Sequence, residues 1–222
     1  MSENIVSIYL NINTERNNTV LGRDNKIIYG KESISDTLCG IEFKISPHSF
    51  YQINPFMTEK LYNRAIEYAN ITPEDTVLDV YCGIGTISLA AAKLAKKVYG
   101  IEIVEQAIIN ARENATNNGI TNAEFFADSA EKAVPKLIEG GARPDIVILD
   151  PPRKGSDEVT LNAIASAEPK RIVYVSCNPA TLARDTKYLA SHGYSPQKCT
   201  AVDMFPHTAH VETVLVMSRV EK

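Results

Sequence analysis

Short apolar segments alternate with longer amphipathic segments along most of the chain after residue 75. The short segments are rich in Val, Ile and Leu, which predicts buried strands, whereas apolar residues spaced three and four apart predict helices. Such alternation is typical of an α/β fold, in which helices cover both faces of a mainly parallel sheet. The predicted strands are 76–80, 97–101, 123–127, 145–149 and 171–175. The predicted helices are 87–94, 104–117, 130–138, 157–166 and 179–192.

The pattern changes near the C-terminal end. Residues 194–204 and 211–220 form two long strand-like segments joined by a short link. Consecutive strands with a short link pair in an antiparallel manner. We therefore predict seven strands in the main sheet, with an antiparallel strand at the end of the chain.

Residues 1–47 lack the strand–helix alternation and predict a small antiparallel β unit ahead of a main domain at 48–222. The predicted strands of this unit are 5–10, 26–30 and 41–45, with a turn at Asn17 and Asn18. A loop at 46–55 and a helix at 56–69 open the main domain. The predicted apolar face of that helix carries Met57, Leu61, Ala65 and Tyr68.

Composition and charge narrow the classes of function. The chain has 222 residues, of which 44% are hydrophobic, and its formal net charge is −4. This acidic balance argues against strong nonspecific nucleic-acid binding but leaves room for a local basic patch. The N-terminus lacks a signal-peptide pattern, and no apolar run approaches membrane-spanning length, which predicts a cytoplasmic protein.

The four cysteines are far apart in the sequence and show no C-x-x-C spacing. This spacing argues against zinc or iron–sulfur ligation by cysteine, and nothing in the sequence indicates a disulfide. The cysteines are Cys39, Cys82, Cys177 and Cys199.

A glycine-rich turn at residues 79–86 follows the first predicted strand of the main domain. Gly83 and Gly85 let the backbone approach a ligand closely, and the helix that begins near Thr86 offers free N–H groups. The spacing differs from the dinucleotide fingerprint, because Ser88 occupies the position of the third glycine. D-x-x-x-G-x-G is instead the pattern of S-adenosylmethionine methyltransferases, and any strand–turn–helix joint of an α/β domain is the structural alternative.

Two carboxylates end the next two predicted strands. Glu102 lies about 20 residues after the glycine turn, where a carboxylate can accept hydrogen bonds from both ribose hydroxyls of a nucleoside. Asp128 ends the third strand and is predicted to reach an adenine amino group. The structural alternatives are a solvated strand-end glutamate for the first residue and a helix N-cap for the second.

Asp150 begins the sequence Asp-Pro-Pro-Arg at the end of the fourth predicted strand. Ligands of open α/β sheets bind outside the carboxyl ends of the strands, so this carboxylate is predicted to face the active cleft. The tetrapeptide is similar to that of amino-group methyltransferases, which hold an exocyclic amine. The motif therefore predicts methylation of a planar base without fixing the atom.

Cys177 follows the fifth predicted strand and precedes a helix. A thiol near a helix N-terminus is expected to have a lowered pKa and to act as a nucleophile. The structural alternative is a small buried apolar residue.

The link before the last strand carries His207 and His210, and Glu212 begins that otherwise apolar strand. A carboxylate in such a strand is either paired or acts as a base. The histidines are predicted to be hydrogen-bonding loop residues, since no convincing third metal ligand accompanies them.

Taken together, these motifs resemble the RNA uracil-5-methyltransferases that act on 23S ribosomal RNA or transfer RNA. The string Ser-Cys-Asn-Pro-Ala-Thr-Leu-Ala-Arg-Asp at 176–185 is the most specific match. The other matches are the segment 50–54, the turn 79–86, Glu102, Asp150 with its loop, and the segment 206–212. The resemblance covers about residues 50–216, and the strands before it look like the family's central domain.

The resemblance implies a class I methyltransferase fold, a Rossmann-like seven-stranded sheet, with S-adenosyl-L-methionine as cofactor and RNA as partner. It implies that Cys177 is the nucleophile and Glu212 the base, and it favours 23S ribosomal RNA over transfer RNA. The implied cofactor-binding residues are Gln52, Tyr81, Gly83, Gly85, Thr86, Glu102, Asp128 and Asp150. Whether Asp150 faces the cofactor, the target uracil or both stays open, and no metal is implied in this portion.

Two features of the family are not found in these 222 residues. The family commonly carries an N-terminal oligonucleotide-binding barrel and often a four-cysteine iron–sulfur site. We therefore interpret the sequence as the catalytic portion of a longer protein. The alternatives are an exocyclic-amine methyltransferase, which needs Asp150 but not Cys177, and a noncatalytic module that binds RNA or cofactor. A cytosine-5 RNA methyltransferase also uses cysteine, but its motifs differ.

Overall fold

The computed structural model describes residues 5–14, 16, 20–22, 24–47 and 49–220. Four strands precede the main domain and form two antiparallel pairs, β1 with β2 and β3 with β4. These strands are β1 Ser7–Ile12, β2 Asp24–Gly30, β3 Ile34–Leu38 and β4 Ile41–Ile45. The predicted turn at Asn17 and Asn18 lies outside the described residues.

The sequence analysis did not predict strand β3, because its middle residues are polar and the strand is too short to show alternating apolar positions. It pairs with β4 through a two-residue turn in which Cys39 and Gly40 both have positive φ, at 53° and 67°. Two positive φ values are what the tight hairpin turn of matching twist requires. In β4, Ile41 and Phe43 are buried in the same core as the main domain.

The remaining elements alternate as predicted, with boundaries that shift by one to two residues. The strands are β5 Thr76–Val80, β6 Lys97–Glu102, β7 Ala123–Ala127, β8 Ile146–Leu149, β9 Arg171–Ser176, β10 Tyr194–Val202 and β11 Glu212–Arg219. The helices are α1 Pro55–Ala69, α2 Thr86–Ala92, α3 Glu105–Asn117, α4 Ala130–Glu139, α5 Glu158–Ser166 and α6 Pro179–Ser191.

The main sheet has seven strands in the order β10-β11-β9-β8-β5-β6-β7. Strands β5 to β9 are mutually parallel, whereas β11 runs antiparallel to both of its neighbours, β9 and β10. The prediction of an α/β sheet with an antiparallel last strand is therefore confirmed. The chain order reverses between β5 and β8, and in open α/β sheets ligands bind at the carboxyl ends of the strands at such a point.

Two apolar layers enclose the sheet. One contains residues of α1, α2, α3 and the β3–β4 hairpin, and the other contains residues of α4, α5 and α6. Strands β8 and β9 are buried throughout apart from Arg171, as expected for central strands covered on both faces. Among the residues that the structure describes, no helix combines the length and hydropathy needed to span a bilayer.

Candidate active site

The predicted nucleophile and base lie close together where β9 ends and β11 begins. Thr213 of β11 pairs with Ser176 of β9 in an antiparallel register, and Glu212 and Cys177 lie one step beyond this pair. The Glu212 charge is near enough to raise the pKa of the Cys177 thiol. Glu212 is buried, whereas Cys177 is partly exposed.

Asp150 completes this cluster from the end of β8. Burial raises the pKa of Asp150 to about 7, and the neighbouring carboxylates of Glu212 and Asp79 add to the shift. Burial also raises the pKa of Glu212, whereas the Arg153 guanidinium opposes that rise. Three acidic side chains and one arginine therefore share a partly desolvated site, which is the arrangement that tunes groups for proton transfer.

The predicted lowering of the Cys177 pKa is wrong. Burial raises the pKa of this thiol, the charges of Glu212 and Asp150 raise it further, and Arg153 opposes them. The helix α6 does begin two residues later, with Asn178 as its N-cap. The favourable effect of a helix terminus is modest, so two nearby carboxylates and desolvation outweigh it.

The glycine-rich turn contains three residues in the left-handed region, which is unfavourable for Tyr81 but not for its two glycines. Tyr81 adopts a φ of 71°, Gly83 of 55° and Gly85 of 86°. A Cβ atom at Gly83 would meet no atom within 4 Å, so the backbone there borders open space. Gly85 is the N-cap of α2 without a side-chain cap, because it has no side chain to supply one.

Glu102 is fixed against this turn by two backbone groups. Its Oε2 accepts a hydrogen bond from Gly83 N at 3.2 Å, and its Oε1 accepts one from Val104 N at 2.9 Å. Each carboxylate oxygen retains a further acceptor site. The carboxylate is therefore oriented beside the turn and able to accept hydroxyl hydrogen bonds.

Asp128 lies two residues before α4 and does not cap it, since the N-cap is Ser129. The N-cap alternative for Asp128 is therefore wrong. Its carboxylate accepts hydrogen bonds from Lys136 Nζ at 3.1 Å and Ser129 N at 2.8 Å, and these lower its pKa. Asp128 lines a concavity of about 670 Å³ beside β7, which does not include Cys177 or Glu212.

Gln52 and Thr86 both lie beside Tyr62, a residue that the sequence analysis did not assign to the site. The Tyr62 side chain, only 4% exposed, lies beside both of them and close to Asp150 and Asp79. Its position could have been read from the helix, because Thr58, Leu61, Tyr62, Ala65 and Ala69 follow the spacing of one buried face. Tyr62 thereby joins the segment before α1 to the glycine-rich turn.

Asp79 is a second residue that the site assignment omitted. Its Oδ2 accepts a hydrogen bond from Ser88 Oγ at 2.5 Å, whereas its buried Oδ1 has no partner. Burial raises the Asp79 pKa to about 7. An unpaired buried acceptor is costly unless a ligand completes it, so the turn fits a molecule that carries an N–H or ammonium donor.

The loop before β11 is organised by Thr208 rather than by its histidines. Thr208 N and Oγ1 donate to Phe205 O, and Thr208 Oγ1 accepts from His210 N at 3.1 Å. Both His207 and His210 are exposed. Within the described part of the chain, no group of three or more His, Cys, Asp or Glu side chains is arranged to hold a metal ion.

Comparison with known proteins places this geometry in a family. A family model described as tRNA (Uracil-5-)-methyltransferase matches residues 16–220. An uncharacterized RNA methyltransferase of Bacillus cereus is 53% identical over 98% of this chain and 47% of its own length. Another, from Caldanaerobacter subterraneus, is 52% identical over 96% of this chain and 47% of its own length.

Solved structures agree. Pyrococcus abyssi tRNA (uracil-54, C5)-methyltransferase, crystallised with S-adenosyl-L-homocysteine, superposes with a TM-score of 0.81 at 35% identity, covering 95% of this chain and 50% of its own. M. jannaschii TYW2, crystallised with AdoMet, shares the fold with a TM-score of 0.61 at 18% identity, over 88% of this chain and 91% of its own. The chain spans about half the length of the curated relatives it matches. The family expected from the motifs is confirmed: the chain belongs to the tRNA (uracil-5-)-methyltransferase family.

Proposed function

We propose that residues 48–222 form the catalytic portion of an S-adenosylmethionine-dependent RNA uracil-5-methyltransferase. The observation that carries the proposal is the register of β11 on β9, which brings Glu212 and Cys177 close to each other and to Asp150. The proposed nucleophile, the proposed base and a second carboxylate thus lie near one another at the carboxyl edge of the sheet. The family membership and the relatives crystallised with S-adenosyl-L-homocysteine and AdoMet support the choice of cofactor.

The cofactor-binding residues are proposed around the glycine-rich turn. Glu102 is oriented to accept the ribose hydroxyls, and the open space at Gly83 admits the nucleoside. The other proposed contacts are Gln52, Tyr81, Gly85, Thr86, Asp128 and Asp150, with Asp79 and Tyr62 added by the structure. When bound, the cofactor supplies an electrophilic methyl group on a sulfonium.

The chemistry explains why a thiol and a carboxylate are both needed. C5 of uracil is a weak nucleophile, so the Cys177 thiol would give up its proton to solvent, and the thiolate would add to C6 and make C5 electron-rich. That carbon would take the methyl group that bound S-adenosylmethionine supplies, and S-adenosylhomocysteine would leave. Glu212 removes the remaining C5 proton, after which the C6–sulfur bond breaks and 5-methyluracil and the free thiolate leave.

The raised pKa of Glu212 suits a base, because it increases the affinity of the carboxylate for the C5 proton. The raised pKa of Cys177 means that the thiol is mainly protonated before substrate binds. Arg153 is the nearby cation that favours the thiolate. In a folded RNA, the target base must leave its stack to reach these groups.

RNA is the proposed acceptor, with 23S ribosomal RNA favoured and transfer RNA as the alternative. The Pyrococcus relative is a transfer RNA methyltransferase by name, which supports including both in the test. An RNA-modifying role is consistent with a cytoplasmic location, which we propose for this protein.

The test is methyl transfer from radiolabelled S-adenosylmethionine to unmodified 23S ribosomal RNA and transfer RNA, followed by nucleoside mass spectrometry and mapping. We expect label in 5-methyluridine. Label on an exocyclic amine would support the amino-group alternative suggested by the Asp-Pro-Pro-Arg loop. Cofactor or RNA binding without transfer, in a protein of the relatives' full length, would support a noncatalytic module.

A further inference from the structure

Asp185 of α6 is a buried carboxylate to which the chemistry above assigns no role. Its side chain is 1% exposed, and both oxygens are engaged. Oδ2 accepts hydrogen bonds from Ser156 N at 2.9 Å and from the Tyr174 hydroxyl at 2.6 Å. Oδ1 accepts from Arg184 Nε at 2.7 Å. A buried charge destabilises a protein unless hydrogen bonds and ion pairs compensate it, and here they do. We call Asp185 with its partners Ser156, Tyr174 and Arg184 the hub.

The hub holds the loop that follows Asp150 against α6. Arg184 Nη2 donates to Lys154 O at 3.0 Å and to Ser156 O at 3.1 Å. Gly155 has a φ of +78°, and a Cβ atom there would lie 2.5 Å from Arg184 Nη2 and 2.6 Å from Asp185 Oδ2. The loop backbone at Gly155 therefore packs directly against the side chains of Arg184 and Asp185 on the helix.

Further along the same contact, α6 reaches the loop residue nearest to the site. Asn178 Nδ2 donates to Arg153 O at 3.0 Å, and Thr181 Oγ1 donates to the same oxygen at 3.3 Å. Arg153 is the cation that acts on Cys177 and Glu212. Contacts from α6 thus set the position of the loop on the acceptor side of the site.

The hub also reaches the cofactor side. The Ser156 hydroxyl, in a residue only 5% exposed, lies 3.0 Å from the Tyr81 hydroxyl. Tyr81 occupies the left-handed region at a φ of 71°, an unfavourable conformation for a residue other than glycine that persists only where surrounding contacts hold it. The chain Asp185–Ser156–Tyr81 therefore joins α6 to the glycine-rich turn.

We propose that Asp185 is a positioning residue that, through Ser156, holds Tyr81 in its cofactor-binding conformation while it fixes the loop carrying Asp150 and Arg153. It couples the donor and acceptor halves of the site without touching either reactant. The inference rests on the proposed function, since it takes the ligand at Tyr81 to be S-adenosylmethionine.

Asp185→Asn tests this role by calorimetric titration with S-adenosylmethionine. An asparagine NH2 group in place of Oδ2 would face Ser156 N and the Tyr174 hydroxyl, which are themselves donors. We expect about tenfold weaker affinity for S-adenosylmethionine, which corresponds to the loss of one charge-assisted hydrogen bond. Asp75→Asn is the matched control. Asp75 is equally buried, at 2% exposed, and pairs with Lys170 at the amino edge of the sheet. Both variants should melt at a lower temperature, but Asp75→Asn should retain its cofactor affinity within about twofold.

A double-mutant cycle separates this link from general loss of stability. In a Ser156→Ala background, Asp185→Asn should weaken S-adenosylmethionine binding by less than about twofold, because the connection to Tyr81 is already cut. Independent tenfold effects would overturn the proposal. If Asp185→Asn does not fold, Ser156→Ala and Tyr81→Phe serve instead: each should weaken binding to the same extent, and their effects should not add.

The outcomes distinguish this inference from the proposed function. Unchanged affinity in Asp185→Asn, with normal binding by the wild type, overturns only the role of Asp185. Absence of S-adenosylmethionine binding by the wild type overturns the cofactor assignment and this inference with it.

Discussion

Glu212 lies near Cys177, because both residues come one step after the antiparallel pair Thr213–Ser176 of β11 and β9. The two residues are 35 positions apart in the sequence, and two strand ends bring them together. Strand β11 is the antiparallel member of the sheet, so its first residue lies at the same edge as the last residues of the parallel strands. Because β11 runs in the opposite direction, its first residue places a carboxylate at the edge of the sheet where the parallel strands end.

Replacement of Cys177 by alanine removes the proposed nucleophile. We expect methyl transfer from radiolabelled S-adenosylmethionine to fall to background while cofactor binding persists, since sulfur addition to C6 is required for reaction at C5. Cys199→Ala is the control, because Cys199 is exposed on β10. Turnover in Cys177→Ala comparable to that of the control would contradict the assignment.

Glu212→Gln keeps the shape of the side chain but removes the base. The methylated uracil should remain bonded to Cys177, because the C5 proton is not removed and the thiolate cannot leave. A protein–RNA adduct should therefore accumulate on denaturing gels. If the variant binds RNA and gives no adduct, Glu212 has another role.

Glu102→Ala tests the ribose contact. Loss of the carboxylate also frees Gly83 N and Val104 N, so we expect cofactor affinity to fall at least about tenfold by calorimetry. Glu113→Ala is a suitable control, since the Glu113 side chain is 44% exposed and forms a surface ion pair with Lys44. Equal affinities in the two variants would remove Glu102 from the site.

The raised pKa of Asp79 predicts that ionisation of this buried side chain lowers the free energy of unfolding. The folded protein holds this proton more tightly than the unfolded chain, so the contribution to stability is present below about pH 4 and is lost as pH rises to about 7. Asp79→Asn should therefore become more stable relative to wild type across this window, by at most about 1.4 kcal/mol per pH unit.

The measurement is the difference in free energy of unfolding between wild type and Asp79→Asn, from urea titrations at several pH values without cofactor. A difference that does not change between pH 4 and pH 7 would show that Asp79 ionises normally. Addition of S-adenosylmethionine should reduce the difference at pH 7 if its ammonium pairs with the free Oδ1.

Gly155→Ala probes the contact between the Asp-Pro-Pro-Arg loop and α6. The added Cβ would lie too close to the side chains of Arg184 and Asp185. Alanine would also have to adopt the positive φ of Gly155, which is unfavourable for a residue with a Cβ. Gly119→Ala is matched, because Gly119 has a φ of +65° but open space around it. Gly119→Ala should cost about 1 kcal/mol of unfolding free energy and Gly155→Ala clearly more. Equal costs would mean that the loop and helix separate easily.

The fold was largely predictable from the sequence, because the spacing of apolar residues and the residue types in turns are local properties of the chain. Strand β5 and strand β7 have the bounds that their apolar runs predicted. The motifs also fall at strand ends, as their positions in the sequence indicated. Strand β3 was missed because Ser35, Asp36 and Thr37 give no apolar signal, and only its pairing with β4 makes it a strand.

The site shows where local reasoning ends. The sequence by itself determined which residues could carry the chemistry, because Cys177, Glu102, Asp150 and Glu212 each stand at a strand end. Only the tertiary structure decided that two carboxylates surround the thiol and raise its pKa, that Tyr62 lies beside Gln52 and Thr86, and that Asp185 reaches Tyr81 through Ser156. The physical reason is that burial and electrostatic interaction depend on distance through space, which a linear pattern does not contain.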